Sequence, residues 1–382
     1  MPDSTSQPRI WVLADDRTGN ANQAIGVAEA LGLPFEIKRL EYSRWGRLPN
    51  LIRAASLLGV QDAYREGIKP PWPDLVIAAG RRTVPIARYI KRANHQRTFL
   101  THIMWPGSPV GELDLLAVPE HDQVAPQPNI IHTLGAPHRV TAVRLTQDTS
   151  QWRERFAHLP RPHIGVLVGG TAGKQIFDAA AATLLGKHIS QMARDSGGSL
   201  LVTTSRRTGA AASNALVAAI TAPAFLHLWT RDNSAAQGRA SGGRFQHPAM
   251  SMDGRVPCAQ DALERPSGDT CGTLRLHSSP HVALGRMPEA PENPFFAFLG
   301  LSDVMVVTGD STSMCSEACA TGRPVYIFAP PDNTAPKHKH LHQRLYTLGY
   351  AKPLSGTFET WSYPPLNAAD MIARAIIERV GL

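Results

Sequence analysis

Short apolar runs alternate along the chain with longer stretches in which apolar residues return every third or fourth position. Ile10–Ala14 is a continuous apolar run that ends on Asp15 and Asp16. From Asn20 to Leu31, the residues Ala24, Ile25, Val27, Ala28 and Leu31 keep helical spacing, and Gly32 predicts the stop. Phe35–Leu40 alternates as a second strand, and Leu48–Leu58 predicts a helix. Asp74–Ala79 predicts a buried strand, Val84–Asn94 a helix and Arg97–Met104 a strand. Leu113–Val118 and Asn129–Thr133 add two short strands, and this half closes near residue 155. Strands and helices in this rhythm predict a parallel sheet covered on both faces.

The rhythm restarts at His163–Val168, which closes on Gly169 and Gly170. Ile176–Ala193 predicts a helix, Ser199–Thr203 a strand, Ala211–Ile220 a helix and Ala224–Trp229 a strand. Residues 231–290 break it: Gly, Ser, Pro, Arg and Ala dominate, and no apolar period persists. That composition reads as a disordered insertion. Order resumes with a helix from Asn293, a strand at Val304–Thr308, a loop and helix over 310–322, and a strand at Pro324–Phe328. Lys339–Leu348 and Ala368–Val380 predict the last helices.

The fold class that follows is α/β, with two facing Rossmann-like domains. The first takes residues 1–155. The second takes 156–366 and carries the 231–290 insertion, and a terminal helix in 367–382 is placed to cross back. Such sheets bind ligands at the carboxyl ends of their strands, at the switch point of the topology.

At 382 residues, the chain is long enough for two cores. A formal net charge of +8 suits a phosphate-bearing partner. The basic residues are dispersed, so nucleic acid is not expected. No apolar run approaches the ~20 residues of a spanning helix. The polar start MPDSTSQPR has no secretory core, so a cytoplasmic protein is expected, with peripheral contact at the inner membrane face as an option. Cys315 and Cys319 lie four apart, and Cys258 and Cys271 lie in the insertion. With no second pair beside the first, neither a disulfide framework nor a zinc site is expected.

Four strand-end loops carry candidate chemistry. Asp16, Arg17, Gly19, Asn20, Asn22 and Gln23 lie where the first strand meets the first helix, a place that favours anions. Arg17 offers a fork to phosphate. The plain alternative is a turn capped by Asn20. Gly169, Gly170 and Gly173-Lys174 approach a P-loop, but three residues stand between Gly169 and Gly173, and residue 175 is Gln. A metal-dependent ATPase is therefore rejected, while a glycine loop facing a phosphate is kept. Thr204, Ser205, Arg206 and Arg207 set hydroxyls and guanidinium groups at another strand end, or else form an ordinary polar strand end. Asp310, Ser311, Ser313, Met314, Ser316 and Glu317 form the sharpest cluster, with Glu317 able to accept two ribose hydroxyls. The alternative is a capping arrangement at the helix start. In the run Lys337-His338-Lys339-His340-Leu341-His342, His338 and His342 share a helix face as a metal pair without an identifiable third ligand, and the plainer reading is a basic solvated face. His102 and His132 end predicted strands, where either offers a general base, the plainer reading being a satisfied structural histidine.

These residues resemble the mitochondrial fission family named for the plant "elongated mitochondria" protein. The resemblance rests on LADDRTGNANQAIGVAEALG at 13–32, LVTTSRRT at 201–208 and ENPFFAFLGLSDVMVVTGDSTSMCSEACATGRPVYIF at 292–328. It covers nearly the whole chain except the insertion. The family's opening D-G-R-P-G stands here as Asp15-Asp16-Arg17-Thr18-Gly19, without the proline. The second half also resembles the donor domain of GT-B glycosyltransferases. That likeness implies a nucleotide-sugar substrate and no cofactor or metal. It puts Glu317 on the ribose, Ser313, Met314 and Ser316 along phosphate and sugar, and Gly169 and Gly170 against the diphosphate. Arg206 or Arg207 would neutralise the leaving diphosphate, and Asp16 would serve as acceptor-side base. The family's plant members imply instead an adaptor that recruits a dynamin-like GTPase to a membrane. An older label for the family implies a nucleoside-diphosphate-sugar epimerase.

Overall fold

A computed structural model describes residues 7–107, 110–173, 175–229, 282–283, 293–330, 334–356 and 358–381. Two parallel sheets organise it. The first is built from β1 (Ile10–Ala14), β2 (Glu36–Arg39), β3 (Leu75–Ala79), β4 (Phe99–Ile103), β5 (Leu115–Pro119) and β6 (Ile130–Thr133). Its strand order is β2-β1-β3-β4-β5-β6. The second is built from β7 (His163–Val168), β8 (Ser199–Thr204), β9 (Ala224–His227), β10 (Val282–Ala283), β11 (Val304–Thr308), β12 (Val325–Phe328) and β13 (Ala351–Pro353). Its order is β10-β9-β8-β7-β11-β12-β13.

The central strands β1, β3, β7, β8 and β11 are buried along their whole length, which explains why they read as continuous apolar runs rather than alternating ones. In each sheet the chain order reverses once, between β1 and β3 and between β7 and β11. The loops after β1, β7 and β11 at those points, and the loop after the neighbouring β8, carry the candidate residues.

The terminal helix Ala368–Val380 packs on the first domain. Ala369, Ile372, Ala373 and Ile376 join one core cluster with Val12, Ala24, Val27 and Ile77. Arg379 reaches the carbonyls of Asp114 (3.1 Å) and Pro128 (3.0 Å). Other contacts tie the halves together. The Ser316 hydroxyl accepts the Ala136 amide at 2.8 Å, His138 bonds the Leu366 carbonyl at 2.9 Å, and Arg344 pairs with Glu120 at 3.0 Å.

Several elements differ from the sequence expectation. Leu48–Leu58 is not one helix. A 3-10 turn at Arg44–Arg47 and a four-residue helix at Asn50–Arg53 replace it. The reason lies in Arg53, which is fully buried and donates to the carbonyls of Leu58 (3.0 Å) and Arg82 (3.1 Å). The chain folds around that guanidinium instead of continuing as a helix. The first helix is Thr18–Leu31 with Arg17 at its N-cap, so Asn20 is not the cap, while Gly32 ends it with φ 68. The helix expected from Ile176 is Ala179–Asp195, because the Asp178 side chain caps it by accepting the Ala181 amide, and Ile176 is exposed. Within 231–290, Val282–Ala283 pairs with β9 as a short strand. The rest of that segment, with Cys258 and Cys271, lies outside the described residues, as does Lys174.

Candidate ligand-binding cleft

The two switch points open onto one cleft of about 760 Å³. Gly19, Asn20, Gln23, Met104, His121 and Asp122 line it from the first domain. Gly173, Gln175, Arg207, Asp310, Ser311, Thr312, Ser313, Lys337 and His338 line it from the second. Three helices begin at its wall: Thr18–Leu31, Thr312–Cys319 and Pro336–Thr347. The first turn of any helix leaves backbone N–H groups without intrahelical partners, and the aligned peptide dipoles make that end positive. The cleft is therefore surrounded by partial positive charge from three directions. Lys337 and Arg207 add full positive charges, while Asp122 and Asp310, the latter paired with Arg207, bring carboxylates to the same wall.

Arg207 is held in place by Asp310, whose carboxylate lies 2.9 Å away. The same carboxylate accepts the Gly170 amide at 2.9 Å, and its second oxygen is buried with no partner among the described residues. The Gly169 amide donates to the Thr308 hydroxyl at 2.7 Å. Both amides of the glycine pair are thus occupied within the protein. The glycines are needed for closeness. A Cβ on Gly169 would lie 2.3 Å from Asp310 Oδ2, and one on Gly170 2.1 Å from the Arg207 backbone. The Ser205 and Thr208 hydroxyls both donate to the Gly169 carbonyl and lock the loop after β8 onto the loop after β7.

The remaining candidates separate clearly. Gly19, Asn20, Gln23, Arg207, Asp310, Ser311 and Ser313 come together in the cleft. Ser311 is also the N-cap of its helix, accepting the Met314 amide. Thr204 accepts the Trp229 amide at 2.8 Å, and Met314 packs into the core beside β11. Ser316 is buried and spends its hydroxyl on Ala136 and on the Thr312 carbonyl, so it joins the domains rather than facing a sugar. Arg206, Arg17 and Asp16 are exposed, and Asn22 is half-buried; none of them lines the cleft. Glu317, four residues after Ser313 on the Thr312–Cys319 helix, is not among the residues lining the cleft either. Burial alone pushes its carboxyl up to about 8.

On the first domain, Asp15 is the group that organises the loop. It accepts from Asn20 at 2.9 Å and from Arg82 at 2.5 Å, while Arg82 also pairs with Asp16. Burial raises the Asp15 carboxyl. The Asp16 carboxyl is lowered: burial opposes this, but the hydrogen bond to Asp15 and the Arg82 guanidinium outweigh it. Asn20 is thus a tether, not a cap.

The segment Lys337–His342 is not a uniformly solvated face. His338 and His342 are buried, bonded to Gln175 Oε1 (2.6 Å) and to the Gly309 carbonyl (3.0 Å). Burial pushes His342 down to about 4, and His121, buried beside Lys337 and His338, also to about 4. These rings are uncharged at neutral pH. His102 is a buried structural ring between the carbonyls of Met104 and Gly80. His132 bonds the Val124 carbonyl at 2.8 Å.

Sequence reasoning missed His121 and Asp122, which line the cleft from the turn after β5, Arg82, which holds Asp15 from the turn after β3, and Thr308, the last residue of β11, which accepts the Gly169 amide. Arg81-Arg82 directly after a strand and glycine was the one available signal.

A family model described as mitochondrial fission ELM1 matches residues 18–240 and 267–380. The chain belongs to the mitochondrial fission ELM1 family. Among ELM1 relatives, the uncharacterized protein RP120 of Rickettsia prowazekii is 26% identical over 403 residues, covering 96% of this chain and 97% of that one. The mitochondrial fission protein ELM1 of Arabidopsis thaliana is 25% identical over 357 residues, covering 86% and 70%. Similar solved structures include MurG of Acinetobacter baumannii (TM-score 0.40, 11% identity, 97% of this chain and 91% of that chain). The UDP-GlcNAc 2-epimerase of Neisseria meningitidis bound to UDP-GlcNAc gives a TM-score of 0.44 at 12% identity, covering 97% of this chain and 98% of that chain. At these values the likeness says nothing about the chemistry of this ELM1-family cleft.

Proposed function

We propose that the cleft binds a nucleoside diphosphate sugar and presents the sugar for transfer to an acceptor. The observation that carries this reading is the convergence of three helix starts on one cleft that also holds Arg207 and Lys337. A diphosphate is the ligand chemistry that this field selects. The free amides at Thr312 and Ser313 would receive phosphate oxygens, and Glu317, further along the same helix, would receive the ribose hydroxyls. In transfer, the bond from the sugar's anomeric carbon to the diphosphate breaks as the acceptor hydroxyl attacks. The negative charge that develops on the leaving diphosphate falls to Arg207 rather than to the exposed Arg206. The acceptor's proton would go to Asp122, which lines the cleft and whose carboxyl burial raises, a better-placed base than the ion-paired Asp16.

One observation favours a second reading, an interaction module without turnover. The Gly169 and Gly170 amides are already bonded internally, so that loop is finished without a ligand.

A thermal-shift screen with UDP, GDP, ADP, CMP and their sugars separates the two. Saturation at about 100 times the dissociation constant adds ~2.7 kcal/mol of stability. A shift with one nucleotide, reduced in Glu317→Ala by about 1–3 kcal/mol of binding, supports the donor site. No shift with any of them favours the interaction module.

A further inference from the structure

The loop after β2 carries a surface that the cleft does not use. Leu51 and Ile52 are 82% and 61% exposed, and Trp45 is 49% exposed. From Ser43 to Val60 the chain has three arginines and no carboxylate. Arg44 and Arg47 are exposed, and the Arg44 guanidinium stacks on the Trp45 ring at 5.1 Å. These three lie within eight residues of one another, so they form a local exposed cluster rather than singly scattered apolar side chains.

They are also held there rigidly. Arg53, fully buried beneath them, donates to two backbone carbonyls and fixes the turn. Ala54 closes it with φ 47, a strained value for a residue with a side chain. Arg81 braces it from the side by donating to the Leu48 carbonyl at 3.0 Å. The chain thus spends a buried guanidinium and a strained residue to present Leu51 and Ile52 outward. The exposed aliphatic side chains share this short segment with two exposed arginines and an exposed indole. That combination matches the boundary of a bilayer with anionic headgroups, where apolar tips enter the acyl region and arginines meet phosphates.

We propose that this loop docks the protein on the surface of an anionic membrane. The platform adjoins the cleft: Asn50 bonds the Pro106 carbonyl at 3.4 Å, and Met104, two residues before it, lines the cleft wall. Docking there brings the cleft mouth to the lipid surface.

Co-sedimentation of the full chain with vesicles tests this, comparing pure phosphatidylcholine with a mixture containing phosphatidylglycerol. The expected result is binding to the anionic vesicles that falls as salt rises. It drops at least tenfold in a Leu51→Ser, Ile52→Ser double variant and in an Arg44→Ala, Arg47→Ala double variant. Both variants alter exposed side chains, and thermal unfolding checks that each is folded. Ser313→Asp, which disturbs only the cleft, keeps full vesicle binding, so this proposal and the nucleotide reading fail separately. Equal binding by the wild type and the folded double variants overturns the proposal, as does no binding by the wild type. So does a concentration-dependent dimer, seen by sedimentation velocity, that the Leu51 and Ile52 changes abolish while vesicle binding persists.

Discussion

Arg207 and Asp310 face each other at 2.9 Å across the cleft wall, one from the loop after β8 and the other from the loop after β11. The carboxylate is almost fully buried, and the guanidinium about one-third exposed. The carboxylate thus holds the arginine where a ligand can reach it, and competes for it.

Removing the two partners should therefore have different results. Arg207→Ala leaves a buried carboxylate without its counter-ion. It should destabilise the protein by about 1–3 kcal/mol and abolish most anion binding. Asp310→Asn keeps an acceptor for the Gly170 amide but frees Arg207. It should lower stability by a similar amount while tightening diphosphate binding several-fold. Chemical denaturation and calorimetric titration of both variants check this. Weaker binding in both would remove the competitive role of Asp310.

The glycine pair makes a steric prediction. A Cβ on Gly170 would overlap the Arg207 main chain, which cannot swing aside as a side-chain tip can. Gly170→Ala should cost about 1–3 kcal/mol or more. Gly173→Ala meets no atom within 4 Å, but its φ of 61 adds strain, so a smaller loss of ~1 kcal/mol is expected. Urea midpoints order the two variants.

Glu317 gives a pH dependence with a definite sign. Its carboxyl titrates near 8 in the native chain and near 4.5 when unfolded. Between those values the native state holds a proton that the unfolded state has lost. Stability from this group is complete below pH 4.5 and is lost as pH rises toward 8. The slope is at most roughly 1.4 kcal/mol per pH unit. Glu317→Gln removes it, so the variant gains on the wild type as pH rises from 5 to 8. Parallel stability curves for the two proteins would contradict the burial of this carboxyl.

The strands were readable because those buried on both faces are bare apolar runs: β7 and β11 begin and end where the pattern placed them. The loop after β2 was not, because its conformation depends on a buried arginine that bonds the Leu58 carbonyl and the carbonyl of Arg82, 29 residues away. The site was half legible. Strand-end positions identified Gly19, Arg207, Asp310 and Ser313 by type and place. The sequence did not reveal that Ser316 bonds across the domains, since its partner is the backbone of Ala136, 180 residues away. Nor could it tell Arg206 from Arg207: adjacent residues in a loop point apart, and only the position of Asp310 decides which is drawn in. Asp15 was noticed as a strand end, but its partner Arg82 comes from another loop.

Isothermal titration of the wild type and of Ser313→Asp with the nucleoside diphosphates and their sugars tests the central claim most directly. Aspartate at the open start of the Thr312–Cys319 helix puts a carboxylate where the ligand's phosphate would lie. Saturable binding of one nucleotide by the wild type, at least tenfold weaker in Ser313→Asp, is the result expected. No heat with any nucleotide, or equal affinity in the two proteins, would contradict a phosphate-binding cleft.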